Sequence, residues 1–436
     1  MDQKTRQQTG TAGRAAHEAI LSTIRVLDMS RVLAGPWAGQ ILADFGAEVI
    51  KVEQINGGDD TRSLGPPFAP LSRFEQERGD SRGDAAYFLS ANRGKSSVAV
   101  NFKTSEGVKI VKQLIAQSDI VIENFKFGGL AHYGLDYATL AAEFPDLIYC
   151  SITGFGQTGP YAARAGYDLM IQAMGGFMSI TGEPDGSAGG GPMKAGVAIA
   201  DVQTGLYAAI AILAALYHRE NCRKQGLPGG QQLDLSLLDV QVATLANRAL
   251  DYLVDGKVPQ RMGNGHPSIV PYRVFATRDG HCILAIANDL QFQKFCAAIG
   301  RADWSKMERF ATNPARVIHR VELESLLEPI FAAQTIDYWL ELLNPLAVPV
   351  GAINRIDTVF ADPQVKARGL EVHLPRTGAD FPLYPGVRNP IRMSGVEVTA
   401  TRAPPALGED TDRILSETLG YSPSEIAALR KASIVA

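Results

Sequence analysis

Only four cysteines occur in the chain, Cys150, Cys222, Cys282 and Cys296, and no two form a C-x-x-C pair. This spacing argues against a disulfide framework or a thiolate metal site and fits a reducing compartment, so a cytoplasmic location is expected, or the mitochondrial matrix in a eukaryote. The seven histidines are scattered without metal-ligand spacing, and no metal is expected. A basic excess is also missing: the net charge is -4, which offers no field to nucleic acid or to an anionic lipid surface, and neither is expected as a partner. The most apolar stretch, Val197 to Tyr217, is interrupted by Asp201, Gln203 and Thr204 and reads as a buried helix rather than a membrane span. Residues 1–22 lack the apolar run of a secretory signal and are expected to form a disordered tail. No internal repeat or low-complexity tract is present.

Several catalytic signatures are missing as well. There is no G-x-S-x-G elbow, and Gly189 to Gly191 lacks the Gly-Lys-Ser/Thr ending of a phosphate loop. Gly154-Phe-Gly-Gln-Thr-Gly159 follows a strand-like run as a dinucleotide fingerprint does, but Gly166 soon interrupts the segment. No strand ending in an acidic residue comes about 20 residues later, so neither a nicotinamide nor a flavin, nor any other tightly bound cofactor, is expected.

What remains is ordinary for a globular protein, 46% hydrophobic and 20% charged over 436 residues, enough for two or three domains. Strand-like runs at Ile24 to Met29, Glu48 to Glu53, Ser97 to Phe102, Asp119 to Ile122 and Leu147 to Ile152 alternate with helical ones at Trp37 to Phe45, Ser105 to Ala116 and before Glu143. The alternation predicts an α/β, Rossmann-like domain with a mostly parallel sheet, and ligands at the carboxyl ends of its strands. Gly57 to Gly83, rich in Gly, Pro, Arg and Asp, reads as a surface loop. The turn Gly226 to Gly230 suggests a domain change, followed by a strand or helix start over Gln232 to Leu238 and a helix from Val240 to Tyr252. Short β-type runs over Arg261 to Ala297 and helices over Ala298 to Leu343 then suggest a smaller α+β domain. Strand-like pieces near Val350, Val372 and Val396 and a helix from Asp410 to Leu419 suggest that the chain returns to the first domain. The expected boundaries are 23–225 for the large domain, 226–345 for the small one and 346–436 for the return segment.

One carboxylate stands out. A glycine segment, Gly182 to Gly196, delivers Asp201 to the first turn of the helix predicted over Val202 to Tyr217. Unpaired N–H groups and the positive end of the helix dipole favour a charged carboxylate there, and they favour oxygen charge developing beside it during acyl transfer. Asp201 is therefore either a nucleophile or an N-cap, and spacing alone leaves both open.

The motifs Val26-Leu-Asp-Met-Ser-Arg-Val-Leu-Ala-Gly-Pro36, Gly46-Ala-Glu-Val-Ile-Lys-Val-Glu53, Gly58-Asp-Asp-Thr-Arg62, Asn92-Arg-Gly-Lys95, Glu123-Asn-Phe125 and Gly196-Val-Ala-Ile-Ala-Asp201 occur in the order typical of class III CoA-transferases, the CaiB/BaiF family. The chain resembles that family along nearly its whole length, and the resemblance implies several things. Asp201 becomes the nucleophile, forming a mixed anhydride with an acyl group and then an aspartyl-CoA thioester. Coenzyme A or acyl-CoA is a substrate rather than a bound cofactor. Leu33, Ala34, Gln54, Val100, Lys103, Asn124, Phe125, Lys126, His132, Tyr167 and Asp168 fall at substrate- or CoA-contact positions, and the subunit is one half of an interlocked homodimer. Gln54 and His132 stand where one branch of the family has arginines, which leaves the CoA phosphates to other cations such as Lys51, Arg62 or Arg93.

Two alternatives compete. An α-methylacyl-CoA racemase of this family has a histidine before the aspartate where this chain has Gly166-Tyr167-Asp168, and a neutral tyrosine, with a reference pKa of about 10, is a poor general base. A non-catalytic CoA-binding protein is disfavoured by the intact Asp201. Within the family the likeness is greatest to the branch acting on succinyl-CoA and glutarate, carried by Gly58 to Phe68, Tyr149 to Gly154 and Ser268 to Tyr272. A small dicarboxylate is therefore expected as acceptor, its second charge met by Arg93, Arg164, His266 or Arg273.

Overall fold

The computed structural model describes residues 19–376 and 383–436. Most of the expected tail, 1–22, lies outside these residues. Leu21, at its end, is buried in the core and donates its N–H to the Phe45 carbonyl, so this part of the expected tail is packed.

The described chain divides into two compact units, the larger comprising residues up to Gly175, Val197–Thr244 and Ala367–Ala436. Its centre is a six-stranded, wholly parallel sheet in the order β3-β2-β1-β4-β5-β6. The strands are β1, Arg25–Asp28; β2, Glu48–Glu53; β3, Lys95–Ala99; β4, Ile120–Glu123; β5, Ile148–Thr153; and β6, Gln231–Ser236. Val, Ile and Leu dominate β1, β2 and β4, as expected of parallel strands with both faces covered. Side chains alternate between two cores: Val26, Val49, Ile120 and Ile148 face one, Leu27, Ile50, Val98 and Val121 the other. The second core also takes Ile414, Leu415, Ile426 and Val435, so the last part of the chain does return to the first unit.

The first core is closed by the helices Ala34–Asp44 and Ile199–Arg223. Ala200, Thr204, Ala208, Ile212, Ala215 and Arg219 form the buried stripe of the longer one, with the spacing of one helix face. By length and composition this helix is apolar enough to cross a membrane. Here its small residues pack against the sheet and the first helix, and a Cβ on Gly205 would lie 2.7 Å from the Ala34 carbonyl oxygen, which explains the glycine.

The smaller unit comprises Gly176–Gly196 and Leu245–Lys366. A three-stranded antiparallel sheet, Tyr272–Thr277, Gly280–Ala285 and Val350–Ala352, packs on helices around an aromatic core in which Phe331 stacks on Phe275 at 4.5 Å and on Trp339 at 4.3 Å.

The boundaries differ from expectation in three places. Residues 226–244 belong to the larger unit because they supply β6, whose alternating exposure marks it as an edge strand rather than the start of a new domain. Residues 176–196 and 346–366 belong to the smaller unit. The helix expected over Val240 to Tyr252 breaks at Ala246, which takes a positive φ of 50°, giving Leu237–Ala243 and Asn247–Asp255 on either side of the unit boundary. No strand forms near Val396, and a C-terminal helix, Pro423–Lys431, was not anticipated.

The segment 57–83 is not a solvated loop. Asp59, Thr61, Arg62 and Glu75 are buried, since Arg62 pairs with Glu53 at 2.6 Å and with Asp84 at 2.9 Å, while Arg376 from the return segment pairs with Glu75 and Asp84. Polar residues that satisfy one another bury as well as apolar ones, and composition cannot reveal the pairing.

Candidate active site

Gly154 follows β5, and a Cβ on it would lie 2.5 Å from the Cα of Gly166. Two backbone segments cross here at a distance only glycine permits. The G-x-G pattern thus serves this crossing, and the crossing delivers Tyr167 and Asp168 to the start of the helix Asp168–Met174.

Asp201 is the third residue of its helix, whose N-cap is Ala198, so the cap role weighed for it does not hold. Asp168 does the capping: its Oδ1 accepts the N–H of Ala200 at 2.9 Å and of Asp201 at 3.4 Å, while its Oδ2 accepts from Gln172 Nε2 at 2.6 Å. These two amides are consequently not the unpaired donors expected at this helix end. The Asp201 carboxyl is pushed up to about 7, by burial first and by the negative charge of Asp168 second. Near neutral pH it is shared between a protonated form and a carboxylate released from water, the state in which a carboxylate is most nucleophilic. Tyr87, in the short helix Ala86–Ala91, was not found from sequence. Its phenol is raised by burial and then by Asp201, Asp168 and Asp59, which marks it as a neighbour of the pair. No sequence signal separated it from an amphipathic core tyrosine.

A second assembly lies at the carboxyl ends of β1 and β4. Asn124 Oδ1 accepts the N–H of Arg31 at 2.8 Å and Asn124 Nδ2 donates to the Arg31 carbonyl at 2.7 Å, joining the loop after β4 to the turn after β1. Phe125 sits beside this clip, edge-on to Phe102 at 5.8 Å, and the buried Glu123 carboxylate accepts its N–H at 2.8 Å. Leu33 and Ala34 begin the helix here, but both side chains are buried, so only their backbone is available to a ligand. Lys103 and Lys126 are exposed near the ends of β3 and β4, and Gln54 donates to the Gly58 carbonyl at 3.2 Å. His132 lies edge-on to Tyr133, and Tyr167 is 72% exposed rather than packed under a glycine loop.

Burial or pairing closes off Val100, Arg93, Lys51 and Arg62. Val100 is fully buried in the second core, and its side chain is closed to any ligand. Arg93 is bound by the buried Asp44, through Nε at 2.9 Å. Lys51 pairs with Asp59 at 2.9 Å and Arg62 with Glu53 and Asp84, so none of these three expected cations faces a ligand. Arg273 and His266 lie in the smaller unit. Arg273 bonds Glu324 at 2.8 Å and lines a cavity of about 820 Å³ with Arg261, Arg320 and Glu328, and His266 packs on Tyr272. Arg164 is exposed and stacked 3.8 Å over the Tyr161 ring.

A Rossmann-like parallel sheet thus carries one acid in the first turn of a long helix and a second acid that caps that helix. The family model for CoA-transferase family III matches residues 21–411, and the chain belongs to that family. It is 51% identical over 397 residues to a succinate–glutarate CoA-transferase of Agrobacterium fabrum, covering 91% of this chain and 95% of the relative. Identity to the human succinyl-CoA:glutarate CoA-transferase is 40%, over 95% of this chain and 90% of that one. Among solved structures, a CaiB/BaiF family protein from Brucella suis superposes with a TM-score of 0.79 at 48% identity, covering 92% of this chain and 99% of that chain.

Proposed function

We propose that the protein moves CoA from succinyl-CoA to glutarate through covalent intermediates on Asp201. The Asp201 carboxylate attacks the thioester carbonyl of succinyl-CoA and expels the CoA thiolate, leaving a succinyl-aspartyl anhydride. The thiolate attacks the aspartyl carbonyl of that anhydride, releasing succinate and forming an aspartyl-CoA thioester. Glutarate attacks this thioester to give a second anhydride and free thiolate, which takes the glutaryl group and restores the carboxylate. Each bond made replaces one of similar energy, so the thioester's energy is kept from water.

The observation carrying this reading is the Asp201 carboxyl, lifted to about 7 by burial and by Asp168, at the start of a long helix. The names of the relatives support the substrate pair. Of the four cations expected near the acceptor, Arg164 alone is in the larger unit without a carboxylate partner among the described residues, and it is assigned to the distal carboxylate of glutarate. The experiment is to trap the enzyme with succinyl-CoA and hydroxylamine: a hydroxamate on the Asp201 peptide supports the mechanism, and an adduct on another residue overturns it.

A homodimer is part of the same proposal. On the outer face of the helix Ile199–Arg223, Leu206, Tyr207, Ile210 and Tyr217 are 45%, 43%, 62% and 72% exposed. An apolar stripe on a core helix fits burial against a second copy. Sedimentation equilibrium that finds an active monomer would reject it.

A further inference from the structure

Acyl-CoA carries a nucleotide with several phosphate charges, yet Lys51, Arg62 and Arg93 are bound to carboxylates inside the larger unit. We infer that Arg31 is a cation that meets these phosphates, in the crevice between the loops that follow β1 and β4. This rests on acyl-CoA being the substrate, as proposed above.

The position follows from topology. Strand order runs outward from β1 through β2 to β3 and then resumes on the other side of β1 with β4. In open α/β sheets the crevice at such a reversal, outside the carboxyl ends of the strands, is where ligands bind. Arg31 lies just beyond β1 and Asn124 just beyond β4, and the two hydrogen bonds of the Asn124 clip span that crevice.

The turn carrying Arg31 is held against its local preference. Val32 adopts φ 68°, a region that a β-branched residue rarely occupies. Asp59 accepts the Val32 N–H at 3.2 Å, and Lys51, paired with Asp59, donates to the Ser30 carbonyl at 2.8 Å. Backbone on both sides of Arg31 is therefore fixed by buried groups. Its side chain remains 46% exposed, with its guanidinium 5.6 Å from the Phe125 ring centroid. Its one ion pair among the described residues, with Asp60 at 3.3 Å, is between half-exposed groups and is readily exchanged for a phosphate. Three residues on, the helix Ala34–Asp44 starts with no acidic residue in its first turn and no side chain capping it, which leaves that end open to an anion.

The test compares two succinyl donors, succinyl-CoA and the N-acetylcysteamine thioester, which has the same reacting bond and no phosphate. Replacing Arg31→Gln is expected to raise KM for succinyl-CoA roughly tenfold, with kcat held within about twofold and a flatter dependence on salt. The truncated thioester should be used equally well by both enzymes, and Arg31→Lys should restore most of the lost affinity. An unchanged KM for succinyl-CoA, or an equal loss on both donors, overturns the assignment. Wild-type turnover of succinyl-CoA, measured in parallel, tests the proposed reaction separately. If that turnover is absent, direct binding of free CoA still decides: Arg31→Gln weakens it roughly tenfold, or an equal Kd rejects Arg31.

Discussion

The Asp168 carboxylate accepts the backbone N–H of Asp201 at 3.4 Å and of its neighbour Ala200 at 2.9 Å, so one acid caps the helix from which the other projects. The arrangement separates two roles that a single residue would have to share. Asp168 fixes the helix end, and Asp201 is left available for chemistry in the field of a second negative charge.

Because Asp201 does not cap its helix, Asp201→Ala is expected to abolish CoA transfer while leaving the fold intact. Activity of succinyl-CoA with glutarate and the melting temperature are measured together. Transfer retained within about tenfold, a change of about 1.4 kcal/mol in barrier height, would remove Asp201 as nucleophile.

Wild-type transfer should rise with pH as the Asp201 carboxylate forms near pH 7. Asp168→Asn keeps an oxygen for the two amides but removes the charge, so the rising limb should move to lower pH. Asp168→Ala also loses the cap, at about 1 kcal/mol of stability. A limb that stays in place in Asp168→Asn shows that burial alone sets the value.

The same raised carboxyl makes a stability prediction. The Asp201 pKa goes from 3.8 when unfolded to about 7 when folded, so the folded enzyme holds a proton the unfolded chain has released between those values. Stability from this group is fully present below the lower value and is lost as pH rises toward the upper one. Asp201→Asn should therefore melt above the wild type at about pH 8, with the gap closing toward about pH 4. An equal gap at both values, read by calorimetry, contradicts this.

Substrate choice is testable with two acids of one length. Glutarate should be a better acceptor than valerate with succinyl-CoA as donor, and Arg164→Gln should raise KM for glutarate while leaving valerate unchanged. Equal use of valerate by the wild type refutes the dicarboxylate assignment without touching the chemistry at Asp201. A chiral 2-methylacyl-CoA incubated in deuterated water should keep its configuration, and fast deuterium uptake would revive the racemase alternative.

The elements legible in sequence were those whose signal is local. β2, Glu48–Glu53, and the helix Ser105–Ala116 appear with the expected bounds, the first from Val and Ile on either side of Lys51, the second from apolar spacing behind Thr104, which caps it by accepting from Gly107. The place of Asp201 in the first turn of an apolar helix was legible for the same reason, but spacing left cap and nucleophile both open, and the structure removes only the cap. At β6 the sequence left a strand and a helix start both open over Gln232 to Leu238, because an edge strand alternates polar residues and so lacks the apolar run of a central one. The failed cations share one cause: Lys51, Arg62 and Arg93 look like surface charges in sequence, and only distant partners such as Asp44, Asp84 and Glu53 make them internal. Arg31 was passed over for the converse reason, since nothing near it in sequence tells that Asn124, 93 residues on, fixes its backbone.

The buried ion pairs of Arg376 with Glu75 and Asp84, and the hydrogen bond from the Ser97 N–H to Asp410, tie the start of the larger unit to residues made some three hundred positions later. During synthesis, chain that has emerged only as far as the smaller unit carries Glu75 without its cation and Asp84 with only one of its two. Burying those carboxylates before Arg376 arrives is unfavourable. The sheet can form early, but the segment from 57 to 84 is closed over it by residues translated after the smaller unit. Completion of the larger unit is thus a late event that follows the smaller one, although most of its residues are translated first.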